Sequence, residues 1–115
     1  MGENQEEIEK VQVHIDMVRE AIALSDELDV LAKVPEFNSV IMEGFMKEEP
    51  ARLAAIITDP EMMGEVDQRE ILGAIKAVGY LGDFLRNIDK RGVQMRAALE
   101  QAEEYKTGLL NPEED

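Results

Sequence analysis

The fold is decided by residues 67–106, which read DQREILGAIKAVGYLGDFLRNIDKRGVQMRAALEQAEEYK. Between Ile71 and Ala102, apolar and small residues recur in alternating steps of three and four. This heptad spacing keeps one face of a helix turned toward a partner helix. Because no proline interrupts the stretch, it predicts one long helix.

The ends and the continuity of this helix can also be predicted. Asp67 followed by Glu70 is typical of a capping box at a helix N-terminus. Asp89, Lys90 and Arg91 before Gly92 are typical of a helix C-terminus. However, the heptad phase is the same on both sides of Gly92, so we favour a continuous helix.

Three further glycines lie within the same helix pattern. Each glycine in a helix interior costs about 1 kcal/mol relative to alanine. A helix that keeps them is expected to let a neighbouring backbone approach closely at these positions, which are Gly73, Gly79 and Gly82.

An N-terminal helix is predicted between Asn4 and Lys33, and it carries two apolar stripes. The first stripe consists of Ile8, Val11, Ile15, Val18 and Ile22 and stops where Ser25 would continue it. The second consists of Met17, Ala21, Leu24, Leu28 and Leu31. The stripes face roughly 140° apart around the helix. Either the helix lies between several neighbours of its own domain, or one stripe packs internally and the other meets another subunit.

Two short helices are predicted in the middle of the chain. Val34 before Pro35 ends the first long helix, and Pro50 is expected to break or kink the next one. The prediction is an all-α fold: a helical hairpin of two long antiparallel helices with two short helices packed at the tip, whose core includes Leu24 and Leu31. Residues 1–111 are expected to form a single helical domain, and residues 112–115 a frayed acidic tail.

Composition restricts the partners. The 115-residue chain has 26 acidic and 12 basic residues, a net charge of −14, and no cysteine. Such a chain is repelled by nucleic acids and anionic membranes, and disulfides are excluded. No apolar run approaches the ~20 residues of a membrane span, and the first residues are too acidic for a signal peptide. We therefore predict a cytoplasmic protein that binds neither nucleic acid nor membrane.

Chemical motifs are scarce. His14 is the only histidine, and no recognisable motif pairs it with a nucleophile or a metal ligand. Residues 59–70 resemble an EF-hand loop, with Asp59 first and Glu70 twelfth, but Met63 replaces an oxygen ligand and Pro60 is unusual in such a loop. We predict no micromolar calcium site, no metal, no cofactor and no catalytic residue, and hence a protein that is not an enzyme.

One segment carries a resemblance to a known group of proteins. It is Phe37-x-x-Val40-Ile41-x-Glu43-Gly44-Phe45-x-x-Glu48-Glu49-x-x-Arg52-Leu53. This segment resembles small acidic helical proteins encoded by tailed bacteriophages, and the similarity extends over about residues 24–100. The resemblance implies no agreed catalytic activity. It implies a context, which is virion assembly or interference with a host protein.

Two classes of function follow. The first is a structural or interaction protein that self-associates as a homo-oligomer and docks on another protein, of a virion or of the host. The second is an acidic inhibitor whose carboxylates mimic DNA phosphates and occupy a basic site on a host protein. The first 66 residues, with 16 acidic and five basic side chains, are the half that could supply such an acidic face.

Specific residues are predicted for these roles. Short helices cannot cover the apolar residues near the chain termini, so an oligomer interface is expected there. Its predicted residues are Ile8, Val11, Ile15, Val18, Ile22, Met95 and Leu99. The predicted partner-docking residues are Glu43, Glu48 and Glu49.

Overall fold

The computed structural model describes residues 2–112, in which all regular structure is helical and no strand occurs. Helix α1 spans Gly2–Leu31, α2 spans Pro35–Phe37, a π-helix spans Asn38–Glu48, and α3 spans Glu49–Ile57. A 3₁₀ turn at Pro60–Met62 precedes the longest helix, α4, at Glu65–Leu110. The predicted all-α helical hairpin with a long C-terminal helix is confirmed.

Helix α4 is continuous through Gly92, as the heptad phase predicted. It begins at Glu65, two residues before Asp67, so the predicted capping box is wrong. The Gln68 N–H already donates a helical hydrogen bond to the Gly64 carbonyl at 2.9 Å. Asp67 therefore lies inside the first turn, where its negative charge interacts favourably with the positive end of the helix dipole.

The middle of the chain differs from the prediction of two separate short helices. Helical residues run without a gap from Pro35 to Ile57, and Pro50 is the second residue of α3. Proline is tolerated in the first turn of a helix, because an N–H there needs no helical partner. Before Pro50 the hydrogen-bond pattern is wider, since the Glu49 N–H donates to the Gly44 carbonyl five residues back.

The described residues form two compact units. The first unit contains residues 2–28 and 88–112, and the second contains Asp29–Asn87. The prediction of one domain over residues 1–111 stays a prediction. Of the predicted acidic tail, residues 113–115 lie outside the described residues.

The first unit is an antiparallel pair of α1 and the C-terminal part of α4. At one end, Asn4 Nδ2 donates to the Leu109 carbonyl at 3.0 Å. Toward the other end, the Arg96 guanidinium pairs with the Asp26 carboxylate. Ile15 and Val18 lie between the helices with only 1% and 2% of their surface exposed. Burying such side chains stabilises the pair by about 2 kcal/mol each.

Within this unit, α1 and α4 approach each other closely at Ser25 and Gly92. Ser25 is buried, and a Cβ atom at position 92 would overlap the Ser25 side chain. The first stripe of α1 therefore continues through Ser25, which contradicts the prediction that it stops there. The two helices approach so closely here that only small residues, a serine on α1 and a glycine on α4, fit at this contact.

The second unit has its own core of Leu53, Ile71 and Val78. Gln68 connects the turn before α4 to this core, because its Nε2 donates to the carbonyls of Ile57 at 3.0 Å and Met62 at 2.8 Å. The sequence pattern did not indicate this role for a glutamine.

Four of the predicted packing positions are exposed or have no close neighbour. Leu24 and Leu31 were expected in the core, but both are exposed. No atom lies within 4 Å of a Cβ built on Gly73 or on Gly79, so the predicted close approach is wrong for these two. At Gly82 a Cβ would lie 2.8 Å from the end of the Met46 side chain, so a neighbour is close there.

Candidate interaction surfaces

The seven predicted interface residues lie mostly inside the helix pair of the first unit. Ile15 and Val18 are buried, and the other five are half-buried. They are Ile8, Val11, Ile22, Met95 and Leu99. A side chain already buried within its own chain offers little apolar area to a second subunit. The assignment of these residues to an oligomer interface stays a prediction. The most exposed apolar side chains of the helix pair lie at other positions.

The outer face of α1 is defined here by Val13, Met17 and Leu24. These side chains are 60%, 61% and 47% exposed. At about 100° per residue they point away from Ile15, on the opposite side of the helix. Met17 and Leu24 belong to the second predicted stripe. In this unit the first stripe packs internally, whereas Met17 and Leu24 of the second are exposed and its Ala21 and Leu28 are half-buried.

Acidic residues surround the outer face of α1. Glu6, Glu20 and Glu27 are exposed and fall on the same line of the helix surface. Over its full length, α1 has nine acidic and two basic residues, a net charge of −7. The face therefore has an apolar centre within a negatively charged surface.

The outer face of α4 is defined here by Val66, Gly73, Ala77, Tyr80 and Phe84. All five are exposed, Tyr80 at 74% and Phe84 at 50%. They lie in the second unit, on the side of α4 opposite to the buried Ile71 and Val78. Residues 66–87 have three acidic and three basic residues, so this stretch is locally neutral.

Sequence analysis missed the outer face of α4, although the signal was present. Gly73, Ala77, Tyr80 and Phe84 follow one another in steps of four, three and four. This is the same heptad spacing as the buried stripe on the other side of the helix. The pattern was overlooked because two of its members, Gly73 and Ala77, are small and contribute little hydrophobicity.

The predicted docking acids are only partly free. Glu43 pairs with Lys47, Nζ to Oε1, at 3.1 Å, and Arg52 Nε donates to Glu49 at 2.9 Å. The hydrogen bonds from Arg52 lower the pKa of Glu49. Glu48 is exposed. The assignment of these three residues to partner docking stays a prediction.

An open groove of about 360 Å³ lies between α1 and α4 in the first unit, and the exposed His14 lies on its wall. Tyr105 is also on the wall, and its hydroxyl donates to Glu7 Oε2 at 2.6 Å. This bond to a carboxylate raises the pKa of the Tyr105 phenol. Among residues 2–112, the His14 side chain has no hydrogen-bond partner. The absence of a catalytic residue stays a prediction.

The segment that resembles an EF-hand loop has a different conformation. Its residues 60–62 form the 3₁₀ turn, and from Glu65 onward the segment is already part of α4. An EF-hand loop wraps its ligands around the ion before the following helix begins. Within the described part of the chain, no three His, Cys, Asp or Glu side chains are grouped closely enough to hold a metal ion.

Comparisons with known protein families, with curated protein sequences and with solved structures find no match to this chain. The resemblance to bacteriophage proteins therefore stays a prediction. None of the helices between residues 2 and 112 has both the length and the apolar character needed to cross a lipid bilayer.

Proposed function

We propose that the protein is a non-enzymatic helical interaction protein that docks, through the outer face of α1, on a basic surface of a larger protein assembly. The observation that carries the proposal is the exposed line of Val13, Met17 and Leu24 on a helix of net charge −7. Exposed apolar lines of this kind on a helix are typical of contact with another helix or with a hydrophobic groove.

The charge of α1 defines the chemistry of the partner. A complementary surface has apolar side chains along its centre and Lys or Arg on both sides. Opposite charges steer such partners together and suppress wrong partners. A second copy of α1 would instead bring −7 against −7, which opposes pairing of this face with itself.

The expected setting is the one that the resemblance implied. The partner would be a virion or host protein, and the cytoplasm is the compartment in which we expect the encounter. The alternative function, an acidic mimic of DNA, is favoured by the concentration of carboxylates in the first 66 residues. The two functions differ in which side chains of this protein contact the partner. A docking helix depends on its apolar centre, whereas a phosphate mimic depends on its carboxylates alone.

The test uses an amphipathic peptide as the probe, with leucines at heptad positions and lysines on both flanks. Binding of the labelled peptide to the full chain is followed by fluorescence anisotropy. We expect Met17→Gln with Leu24→Gln to weaken binding at least tenfold, which corresponds to about 1.4 kcal/mol. Val93→Gln is the control, because Val93 is exposed in the same unit but lies on α4.

Three results would contradict docking through this face. The first is a Met17→Gln, Leu24→Gln variant, folded by circular dichroism, that binds as tightly as the wild type. The second is a Val93→Gln variant that loses as much affinity. The third is a loss with Glu20→Gln and Glu27→Gln but none with the apolar variant, which would favour the DNA mimic.

The natural partner can be identified by site-specific cross-linking in the host. A photoreactive residue at position 17 is expected to capture a protein with a basic, apolar-centred surface, and the same residue at position 93 is not. Capture of the same proteins from both positions would contradict docking by α1.

A further inference from the structure

The outer face of α4 has an ordered arrangement of side-chain sizes. Gly73 and Ala77 are small and come first, whereas Tyr80 and Phe84 are large and come second. All four are exposed, and the space around a Cβ at Gly73 is open to 4 Å. Small and large residues are thus separated along one line of the helix surface.

This arrangement is complementary to itself when two copies run in opposite directions. In antiparallel heptad pairing, Phe84 of one chain lies over Gly73 of the second copy, and Tyr80 lies over Ala77. The two remaining layers are the same contacts repeated by the two-fold axis, as an isologous interface requires. We propose that α4 pairs with α4 of a second copy in this way and that the protein forms a homodimer.

Other registers fit poorly. A shift by one heptad in one direction places Tyr80 over Phe84 of the second copy, so that aromatic rings meet where there is no space for both. A shift in the opposite direction places Gly73 over Ala77 and leaves the aromatic rings without small partners. Only the register with large over small fills the interface evenly, and even packing is what distinguishes a specific helix contact.

Charge also favours a second copy at this face. Residues 66–87 are neutral overall, in a chain of net charge −14, so two copies repel each other less along this stretch than they would along α1. In the proposed register Lys76, which flanks the apolar line, comes opposite Asp83 of the second copy. Both side chains are exposed. Opposite charges beside the apolar line of a helix pair stabilise orientation and register.

The interface has a limited length. Beyond the four apolar layers, Glu70 would face Asn87 of the second copy, and both are polar. We therefore expect a reversible dimer. This inference goes beyond docking by α1 and does not depend on it, and a dimer would carry two α1 outer faces and so bind a repetitive assembly with avidity.

The main experiment compares two glycines of the same helix. Gly73→Gln adds a long side chain within the proposed interface, and Gly79→Gln adds the same side chain outside it. Both positions are exposed and open to 4 Å, and both changes raise the helix propensity. In sedimentation equilibrium of the full chain in moderate salt, we expect the dissociation constant of the dimer to rise at least tenfold with Gly73→Gln and less than twofold with Gly79→Gln.

A residue exchange tests the register. Gly73→Phe alone is expected to abolish the dimer, because it places phenylalanine over Phe84 of the second copy. Phe84→Gly alone is expected to weaken the dimer by removing the large residue of the layer. The combination Gly73→Phe with Phe84→Gly restores one large and one small residue in each layer and is expected to dimerise again.

Cross-linking tests the orientation without altering the apolar layers. The chain has no cysteine, so a mixture of Lys76→Cys and Asp83→Cys chains is expected to form disulfides between positions 76 and 83 rather than within one variant.

Three results would each overturn the proposal. They are a wild type that stays monomeric at all concentrations, equal effects of the two glutamine variants, and disulfides only between identical positions. Binding of the lysine–leucine peptide to Gly73→Gln is expected to be unchanged, so failure of the dimer and failure of α1 docking are distinguishable.

Discussion

The outer faces of α1 and α4 follow the same heptad spacing opposite a buried face, but they differ in charge and in the order of side-chain sizes. The α1 face is apolar within a helix of net charge −7. The α4 face lies in a neutral stretch and separates small from large residues. Helical periodicity alone thus does not define a partner. The flanking charges decide whether a second copy is tolerated, and the side-chain sizes decide in which orientation.

A substitution on the buried face of α1 should reduce the free energy of unfolding far more than one on its outer face. Ile15 and Met17 are a suitable pair for this test. Ile15→Asp places a carboxylate where 1% of the side chain is exposed. We expect the free energy of unfolding to fall by about 4 kcal/mol or more, from lost apolar burial and an unpaired buried charge. Met17→Asp, two residues away and 61% exposed, should change it by less than about 0.5 kcal/mol.

Urea denaturation followed by circular dichroism measures both variants. If Met17→Asp proved as destabilising as Ile15→Asp, Met17 would be covered within the folded chain and the outer face of α1 would not exist as a surface.

A second pair of variants compares glycines that do and do not contact a neighbour. Gly92→Ala would push against Ser25, and overpacking of this kind costs about 2 kcal/mol. Gly79→Ala meets no atom within 4 Å and should raise the unfolding free energy by about 1 kcal/mol through helix propensity. Opposite signs in thermal or urea denaturation would confirm the distinction.

Ser25→Gly is the matched rescue for Gly92→Ala. In the double variant, glycine stands at position 25 on α1 and alanine at position 92 on α4, so the contact again has one glycine and one small residue. The double variant should therefore recover most of the lost free energy of unfolding. If Ser25→Gly brought no recovery, the loss at Gly92 would have a cause other than this contact.

Salt gives the smallest effect but compares the two outer faces directly. Raising the ionic strength screens attraction between α1 and a lysine-rich peptide, so we expect that affinity to fall a few-fold. The same change screens the repulsion between two chains of net charge −14 and should leave the α4 dimer equal or tighter. Anisotropy and sedimentation across one salt series measure both, and changes in the same direction would contradict the assigned charge roles.

Much of the fold could be predicted because it depends on periodicity. The continuity of α4 through Gly92 followed from the unbroken heptad phase, and the two stripes of α1 were both visible. Which stripe packs internally could not be predicted, because both are apolar and only the position of α4 decides between them. Leu24 was expected inside for this reason and lies outside.

The errors concern residues whose role is size or hydrogen bonding rather than hydrophobicity. Ser25 appeared to end a stripe, yet it is buried because it is small enough to meet Gly92. Gln68 appeared to be an ordinary polar residue, yet its amide donates to one carbonyl at the end of α3 and to one in the 3₁₀ turn. Such roles depend on the neighbour across the contact, which a single sequence does not specify.

The two segments of the helix pair are far apart in sequence, so the first segment is synthesised well before the second. The Asn4 side chain bonds to a carbonyl 105 residues later, so α1 cannot find its partner until the last part of α4 has left the ribosome. At about 5–20 residues per second, the 59 residues between the two segments of the helix pair take about 3–12 s to synthesise. Throughout that time Ile15 and Val18 lack their partner. Because like charges repel, we expect the nine acidic residues of α1 to keep nascent chains apart during this interval and so to oppose their aggregation.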